Sequence, residues 1–167
     1  MKKRLVVKQE GNKDCGSACL LSIVRYFGGD ISLDRLIEMT KTSKSGTNFY
    51  NISKAALELG IISKGYKVDD ILKLKQINPP FICQFNNKNY THFVVVYRVN
   101  NNKITIMDPA KGRYNMDIFD FSNSWTGYIL LFEKYSTVPY FKDDKNLNLV
   151  IKKTIYDNKK LIFILVI

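Results

Sequence analysis

Cys15 is the residue from which a chemistry can be built. It stands in Asp14-Cys15-Gly16-Ser17-Ala18-Cys19-Leu20, directly after an acidic residue suited to cap a helix and at the head of a run of small residues. A nucleophilic cysteine needs a route to thiolate, a base, and donors for the oxygen that gains charge. A helix N-terminus supplies the first, because its unpaired amides favour negative charge. Cys19 lies one turn deeper, where that benefit fades, and Cys83 falls in an apolar strand and reads as an inert core residue. On these grounds alone Cys15 is equally well a buried small residue.

The chain has one histidine, His92. It begins the alternating run Thr91-His92-Phe93-Val94-Val95-Val96-Tyr97-Arg98. A side chain at the start of such a strand can reach a cleft, although a backbone-satisfied strand histidine is the plainer reading. If the hairpin to Lys103–Met107 turns through Asn100-Asn101-Asn102, Val99 faces Lys103. Asp108 then shares a face with His92, diagonally placed at about 7–8 Å between backbones. There it can accept a hydrogen bond from one ring nitrogen and leave the other for Cys15. It also fits an Asp-Pro turn starter, and a register shifted by one residue would put the two on opposite faces. Gln9, six residues before Cys15, is the candidate oxyanion donor through its amide NH2, beside the Cys15 backbone N–H.

The elements that must position these residues fall into two halves. Residues 5–8 read as a short strand. Asp14 caps a helix from Cys15 to Phe27 that stops at Gly28-Gly29. Its small stripe of Cys15, Ala18, Cys19 and Ser22 lets a sheet approach closely. Helices follow over 33–39 and 49–59, then an extended stretch over 61–68 and a short helix near 71–74. After Pro79-Pro80 the period changes from 3.6 to 2, with strands over 81–85, 91–99, 103–107 and 128–132. Helices first and antiparallel strands second define the α+β class.

The 167 residues suit one domain with a tail, and 46% hydrophobic content suffices for a core. A net charge of +11 implies an anionic neighbour: nucleic acid, a phospholipid surface or an acidic peptide. Nucleic acid is set aside, because the basic residues are scattered and no basic recognition motif occurs. Three cysteines without tight spacing argue against a disulfide framework, and the N-terminus lacks the apolar core of a signal peptide. Both point to a reducing, cytosolic setting. A zinc site from Cys15, Cys19, Cys83 and His92 is an alternative that requires Cys83 to face the first helix.

Gln9, the Asp14–Leu20 string, His92-Phe93-Val94-Val95-Val96, Asp108-Pro109 and Trp125-Thr126-Gly127-Tyr128-Ile129-Leu130 together resemble the bacteriocin-processing peptidase domain. This is the papain-like, N-terminal, cytosolic domain of peptidase-containing ABC transporters, and the resemblance covers roughly residues 5–133. It implies a papain-like α+β fold and a cysteine endopeptidase that cuts a leader peptide after a double-glycine-type pair, the attached transporter exporting the product. Cys15 is then the nucleophile, His92 the general base and acid, Asp108 its orienter, and Gln9 the oxyanion-hole side chain. The family also holds idle domains that only bind leaders, which is the alternative reading. The implied partners are a leader peptide and the membrane and nucleotide-binding parts of the transporter. No cofactor or metal is expected for the peptidase; ATP and magnesium would belong to the transporter, since no Gly-x4-Gly-Lys-Ser/Thr string occurs here.

An amphipathic helical leader implies a shallow apolar groove. Tyr50, Ile52, Leu57, Tyr66, Phe85 and Tyr90 are the candidates, though core packing explains most of them equally well. The expected organisation is a peptidase domain over 1–133, a linker over 134–160, and over 161–167 the start of a first transmembrane helix, flanked by lysines under the positive-inside rule. That places the domain at the cytoplasmic face of a bacterial plasma membrane.

Overall fold

The computed structural model describes residues 2–87 and 90–141, with the side chains of all of these except residues 87 and 90. Three helices come first: α1 (Cys15–Tyr26), α2 (Leu33–Met39) and α3 (Phe49–Glu58). Ser32 and Asn48 cap α2 and α3 through their side-chain oxygens, as their residue types favour. Six strands follow: β1 (Ile61–Lys67), β2 (Phe81–Asn87), β3 (Tyr90–Val99), β4 (Lys103–Asp108), β5 (Gly112–Asp117) and β6 (Trp125–Lys134), with α4 (Ile118–Ser124) between the last two. They form one antiparallel sheet in the order β1-β6-β2-β3-β4-β5. This is the α+β fold expected from the switch in period.

The sheet is covered on both faces. Helices α1–α3 lie on one, where Leu20, Ile23, Val24, Leu36 and Ile52 pack with Phe93, Val95 and Met107. On the other, α4 and the 3-10 turn Ile71–Gln76 supply Phe121 and Leu74 to a second core with Cys83, Val94, Val96, Ile104 and Ile106. Strand β5 and helix α4 were missed in the sequence. Tyr114 and Met116 do alternate there, but α4 is only seven residues long, too short for a helical repeat to register. The stretch expected as a strand over 5–8 is instead a 3-10 turn over Lys3–Leu5 and irregular chain beyond it. Its Leu5 and Val6 N–H groups bond back to the Lys2 and Lys3 carbonyls, as in a tight turn, and just beyond it Gln9 N–H bonds the Pro109 carbonyl in a loop.

The β3–β4 hairpin holds a detail that decides the site. Val99 faces Ile104, not Lys103, so the turn is one residue out of the expected register. Continued along the strand, that pairing would put His92 and Asp108 on opposite faces. A bulge at Tyr97 corrects it: Arg98 pairs with Thr105, but Val96 pairs with Ile106 and Val95 with Met107. One extra residue on β3 restores the parity. The burial records the flip, since Tyr97 packs on the helix side while Val96 and Val99 both lie in the second core.

The segment expected to begin a linker is part of the domain as far as it is described. Val138 is buried, Tyr135 and Ser136 donate backbone bonds to the Gly60 carbonyl, and Phe141 N–H bonds Asp30 C=O at 2.8 Å. Residues 142–167, including the proposed start of a membrane helix, lie outside the described residues. Among the described residues no helix is long and apolar enough to cross a membrane.

Gly16 marks a close approach between α1 and its neighbours. A Cβ there would overlap Thr47 Cγ2 and press within 3.2 Å of both Ile52 Cδ1 and Phe93 Cδ2. Gly16→Ala is therefore expected to destabilise the fold by about 1–3 kcal/mol, the usual cost of overpacking a core. Chemical denaturation of the variant beside wild type checks this, and an unchanged midpoint would contradict the packing described.

Candidate active site

Helix α1 presents Cys15 as its first residue, after Asp14. The expected cap does not form: Asp14 makes no side-chain bond to the helix. Its buried carboxylate instead accepts the Glu10 N–H at 2.8 Å and the Gly11 N–H at 3.1 Å. The reason lies in the chain's sharp return just before the helix, which presents two amides to one carboxylate. A charge-assisted pair of bonds outcompetes a single cap bond. As a result the first-turn amides of α1 carry no side-chain cap and point where an anion would sit.

His92 is the third residue of β3 and alternates with Val94 and Val96, which face the second core. Its Nε2 lies 2.8 Å from Asp108 Oδ1. Cys15 acts on the same ring and, with Asp108, raises its basicity. Asp108 is fixed in turn. The Ala110 N–H donates to Oδ1 at 2.8 Å, and the Tyr114 hydroxyl approaches Oδ2 at 3.5 Å. Three elements thus meet at this site, with the aspartate at the end of β4, the histidine near the start of β3, and the cysteine at the head of α1.

Charge follows from this arrangement. Burial works against a charged imidazole, but the hydrogen bonds to Asp108 and Cys15 outweigh it and push the His92 pKa from 6.5 up to about 9. Burial also works against the Asp108 carboxylate, yet the bonds from His92 and the Ala110 amide hold its carboxyl below the ordinary value. Burial pushes the thiols of Cys19 and Cys83 well above theirs, so both stay protonated. Cys19 lies in the helix-side core and Cys83 in the core on the other face of the sheet. The zinc arrangement, which needs Cys83 to face α1, is therefore not built. Among the described residues no three metal-ligating side chains cluster.

Gln9 ties the two ends of the site together. Its backbone N–H donates to Pro109 C=O at 3.0 Å, next to Asp108. Its side-chain Nε2 donates to Gly11 C=O at 2.7 Å, in the turn that Asp14 clamps. An amide NH2 carries two donors, and Gly11 takes one.

Two clefts flank the Cys15–His92 pair. One, of about 430 Å³, is walled by Cys15, Thr47, Phe49, Gln84, Thr91 and Phe93. The other, of about 150 Å³, is walled by Phe85, His92, Asp108, Lys111 and Tyr114. Most of these wall residues were missed, because their recruitment depends on the fold and no local spacing signals it. The five groove candidates whose side chains are described do not come together. Ile52 is fully buried behind Gly16 and belongs to the core; an isoleucine there is held by its own burial, worth about 1.5–3 kcal/mol. Phe85 is nearly buried and shows only an edge to the smaller cleft. Tyr50 and Leu57 are exposed together on α3, whereas Tyr66 stands apart on β1 beside Ile77 and Leu131. The Tyr90 side chain lies outside the described residues.

As the only histidine, His92 can be titrated without overlap. Its ring resonances are expected to titrate near pH 9, and clearly lower in Asp108→Asn. A raised folded-state pKa stabilises the fold fully below pH 6.5, and that contribution is lost as pH rises through about 9. The stability gap between wild type and Asp108→Asn should therefore narrow across that window. Titration near 6.5 in both proteins would contradict this arrangement.

The sequence pattern of the Peptidase C39 family matches residues 3–137. The Lactococcin-G-processing and transport ATP-binding protein of Lactococcus lactis subsp. lactis is 39% identical over 136 residues, covering 80% of this chain and 19% of that protein. The sublancin-168-processing and transport ATP-binding protein of Bacillus subtilis is 26% identical, covering 99% of this chain and 24% of that protein. The chain thus spans about a fifth to a quarter of the length of these relatives. Among solved structures, the peptidase domain of Streptococcus ComA, a bi-functional ABC transporter involved in a quorum-sensing pathway, superposes with a TM-score of 0.71 at 32% identity, over 80% of this chain and 96% of that one. A double glycine motif protease from an AMS/PCAT transporter, in complex with the leader peptide, gives 0.72 at 32% identity, over 77% and 90%. With the family pattern running over residues 3–137, this protein belongs to the Peptidase C39 family.

Proposed function

We propose that this domain is a cysteine endopeptidase that removes a double-glycine leader from a secreted precursor peptide, with the cut product exported by an attached ABC transporter. The observation that carries the reading is the His92–Asp108 bond at 2.8 Å, with Cys15 at the head of α1 acting on the same ring. The Cys15 sulfur attacks the scissile carbonyl carbon, and the thiol proton resides on His92 Nδ1. The carbonyl oxygen takes up negative charge and is met by the Cys15 N–H and the Gln9 amide. The tetrahedral centre collapses, the C–N bond breaks, and His92 returns its proton to the leaving amine. Water, deprotonated by His92, then hydrolyses the thioester and releases the leader. Asp108 holds the ring in the tautomer and orientation that both transfers need.

The flanking clefts fit an extended chain laid across Cys15, one arm on either side. Thr47, Phe49 and Phe93 crowd the side of Cys15, which favours residues with little or no side chain at the cut. The family includes relatives whose names join processing of a peptide to ATP-driven transport, and a neighbour solved with its leader peptide. On this reading the domain sits at the cytoplasmic face of the membrane. Residues beyond it lead into the membrane and nucleotide-binding parts, where ATP and magnesium act; the peptidase step draws on neither.

Incubation with a peptide carrying a double-glycine leader tests this, with mass spectrometry locating the cut. Cleavage after the glycine pair is expected, nearly abolished in Cys15→Ala and His92→Ala while leader binding survives. Binding by wild type without any cut would instead identify an idle leader-binding module. Gln9→Ala is expected to lose about 10²–10³-fold in kcat, the usual cost of one oxyanion donor. Asp14→Ala should fall toward the same level by freeing the Gln9–Gly11 turn, and the double variant should be little slower than Gln9→Ala alone. A fully active Gln9→Ala would remove Gln9 from the oxyanion site.

A further inference from the structure

The end of the molecule away from Cys15 carries a concentration of positive charge that the peptidase reading does not use. Helix α1 and strand β3 run side by side, from Cys15 and His92 at one end to Tyr26 and Arg98 at the other. Twelve helical residues put these ends about 17 Å apart. At the far end a concavity of about 490 Å³ is lined by Lys2, Arg4, Arg25, Tyr26, Arg98 and Arg113. Five cations converge there from four separate parts of the chain: the N-terminal turn, α1, β3 and β5.

Only Arg25 has a carboxylate partner, Asp30 at 2.8 Å; among the described residues Lys2, Arg4, Arg98 and Arg113 have none. Two of the arginines are nevertheless held in place. Arg4 Nη2 donates to the Arg25 carbonyl at 2.5 Å, and Arg25 Nη1 points at the Arg4 carbonyl at 3.4 Å. The C-terminal carbonyls of α1 add partial negative charge that favours cations at this end. Tyr26 stands half-exposed among them. Planar guanidinium forks match phosphate oxygens, and an exposed tyrosine among cations suits the headgroup layer of a bilayer.

We propose that the face formed by Arg4, Arg25, Arg98 and Arg113 docks onto anionic phospholipid headgroups. The choice of occupant rests on where the chain leaves. Phe141, the last described residue, bonds Asp30, and Asp30 holds Arg25, so the chain departs at the edge of this face. The sequence that follows carries Lys142, Lys145, Lys152, Lys153, Lys159 and Lys160 and then seven apolar residues. Cations in both places address the same anionic surface. A leader peptide does not fit as occupant, since the face lies at the opposite end from the Cys15 clefts. Docked this way, the domain would turn its catalytic end away from the lipid. The inference stands independently of whether Cys15 cleaves.

Vesicle co-sedimentation of the 167-residue chain tests it, with phosphatidylglycerol–phosphatidylcholine vesicles against phosphatidylcholine alone. Wild type should partition at least about tenfold more strongly to the anionic vesicles, less so at high salt. Arg98→Glu/Arg113→Glu, with an unchanged thermal midpoint as the check of folding, should lose about tenfold or more of that partition. Arg98→Gln/Arg113→Gln serves if charge reversal disturbs the fold. Undiminished partition of either folded variant would overturn the proposal, leaving the later lysines to carry binding. Equal binding to neutral vesicles would overturn it in favour of the apolar run. Saturable uptake of inorganic phosphate by wild type, without vesicle binding, would identify a soluble anion as the ligand and overturn it as well.

Discussion

The 2.8 Å contact between His92 Nε2 and Asp108 Oδ1 organises the site, and it depends on one extra residue in a hairpin. The turn between β3 and β4 starts the pairing in a register that would separate the two side chains. The bulge at Tyr97 shifts it back before the strand reaches His92. Tyr97 is also anchored, its hydroxyl meeting Ser22 Oγ at 2.7 Å on the small stripe of α1. The residue that sets the register therefore locks the helix carrying Cys15 to the strand carrying His92.

A second set of bonds closes the site from the polar side. Asp14 spends its carboxylate on the turn before α1 and leaves the helix uncapped. Gln9 joins that turn to the loop after Asp108. The cysteine thus sits at a helix end whose free amides are aimed by the fold. Gly16 lets Thr47, Ile52 and Phe93 press against the first turn from behind, so Cys15 is held by packing as well as by hydrogen bonds. Burial then pulls the charge logic in one direction. The two core thiols stay protonated, and the buried imidazole is kept charged by its partners in spite of its burial.

What could be read in the sequence was what local rules govern. The helices α1–α3 were legible from their apolar period and, for α2 and α3, from Ser32 and Asn48 at their caps. The strands β2, β3 and β4 were legible from alternation. Cys15, His92, Asp108 and Gln9 could be nominated because each is a reactive type at a telling place: helix head, strand start, strand end, fixed distance from the cysteine. Asp14 looked like a cap, since sequence does not reveal that a carboxylate's amide partners lie in the preceding turn. The Tyr97 bulge has no sequence mark, so the expected face of Asp108 was right although the turn register behind it was not. Ile52 was misread as groove because exposure depends on what packs above a helix, here Gly16 of α1. The cleft walls and α4 were missed because they are made by tertiary assembly from short, weakly patterned segments.

The central claim is that Cys15, and neither other cysteine, is the nucleophile, armed by the His92–Asp108 pair. Labelling with a leader-derived peptide ending in a Gly-Gly chloromethyl ketone, followed by mass mapping of the adduct, measures this directly. The account predicts one equivalent of adduct on Cys15, formed far more slowly in His92→Ala. No adduct, an adduct on Cys19 or Cys83, or undiminished labelling in His92→Ala would contradict it.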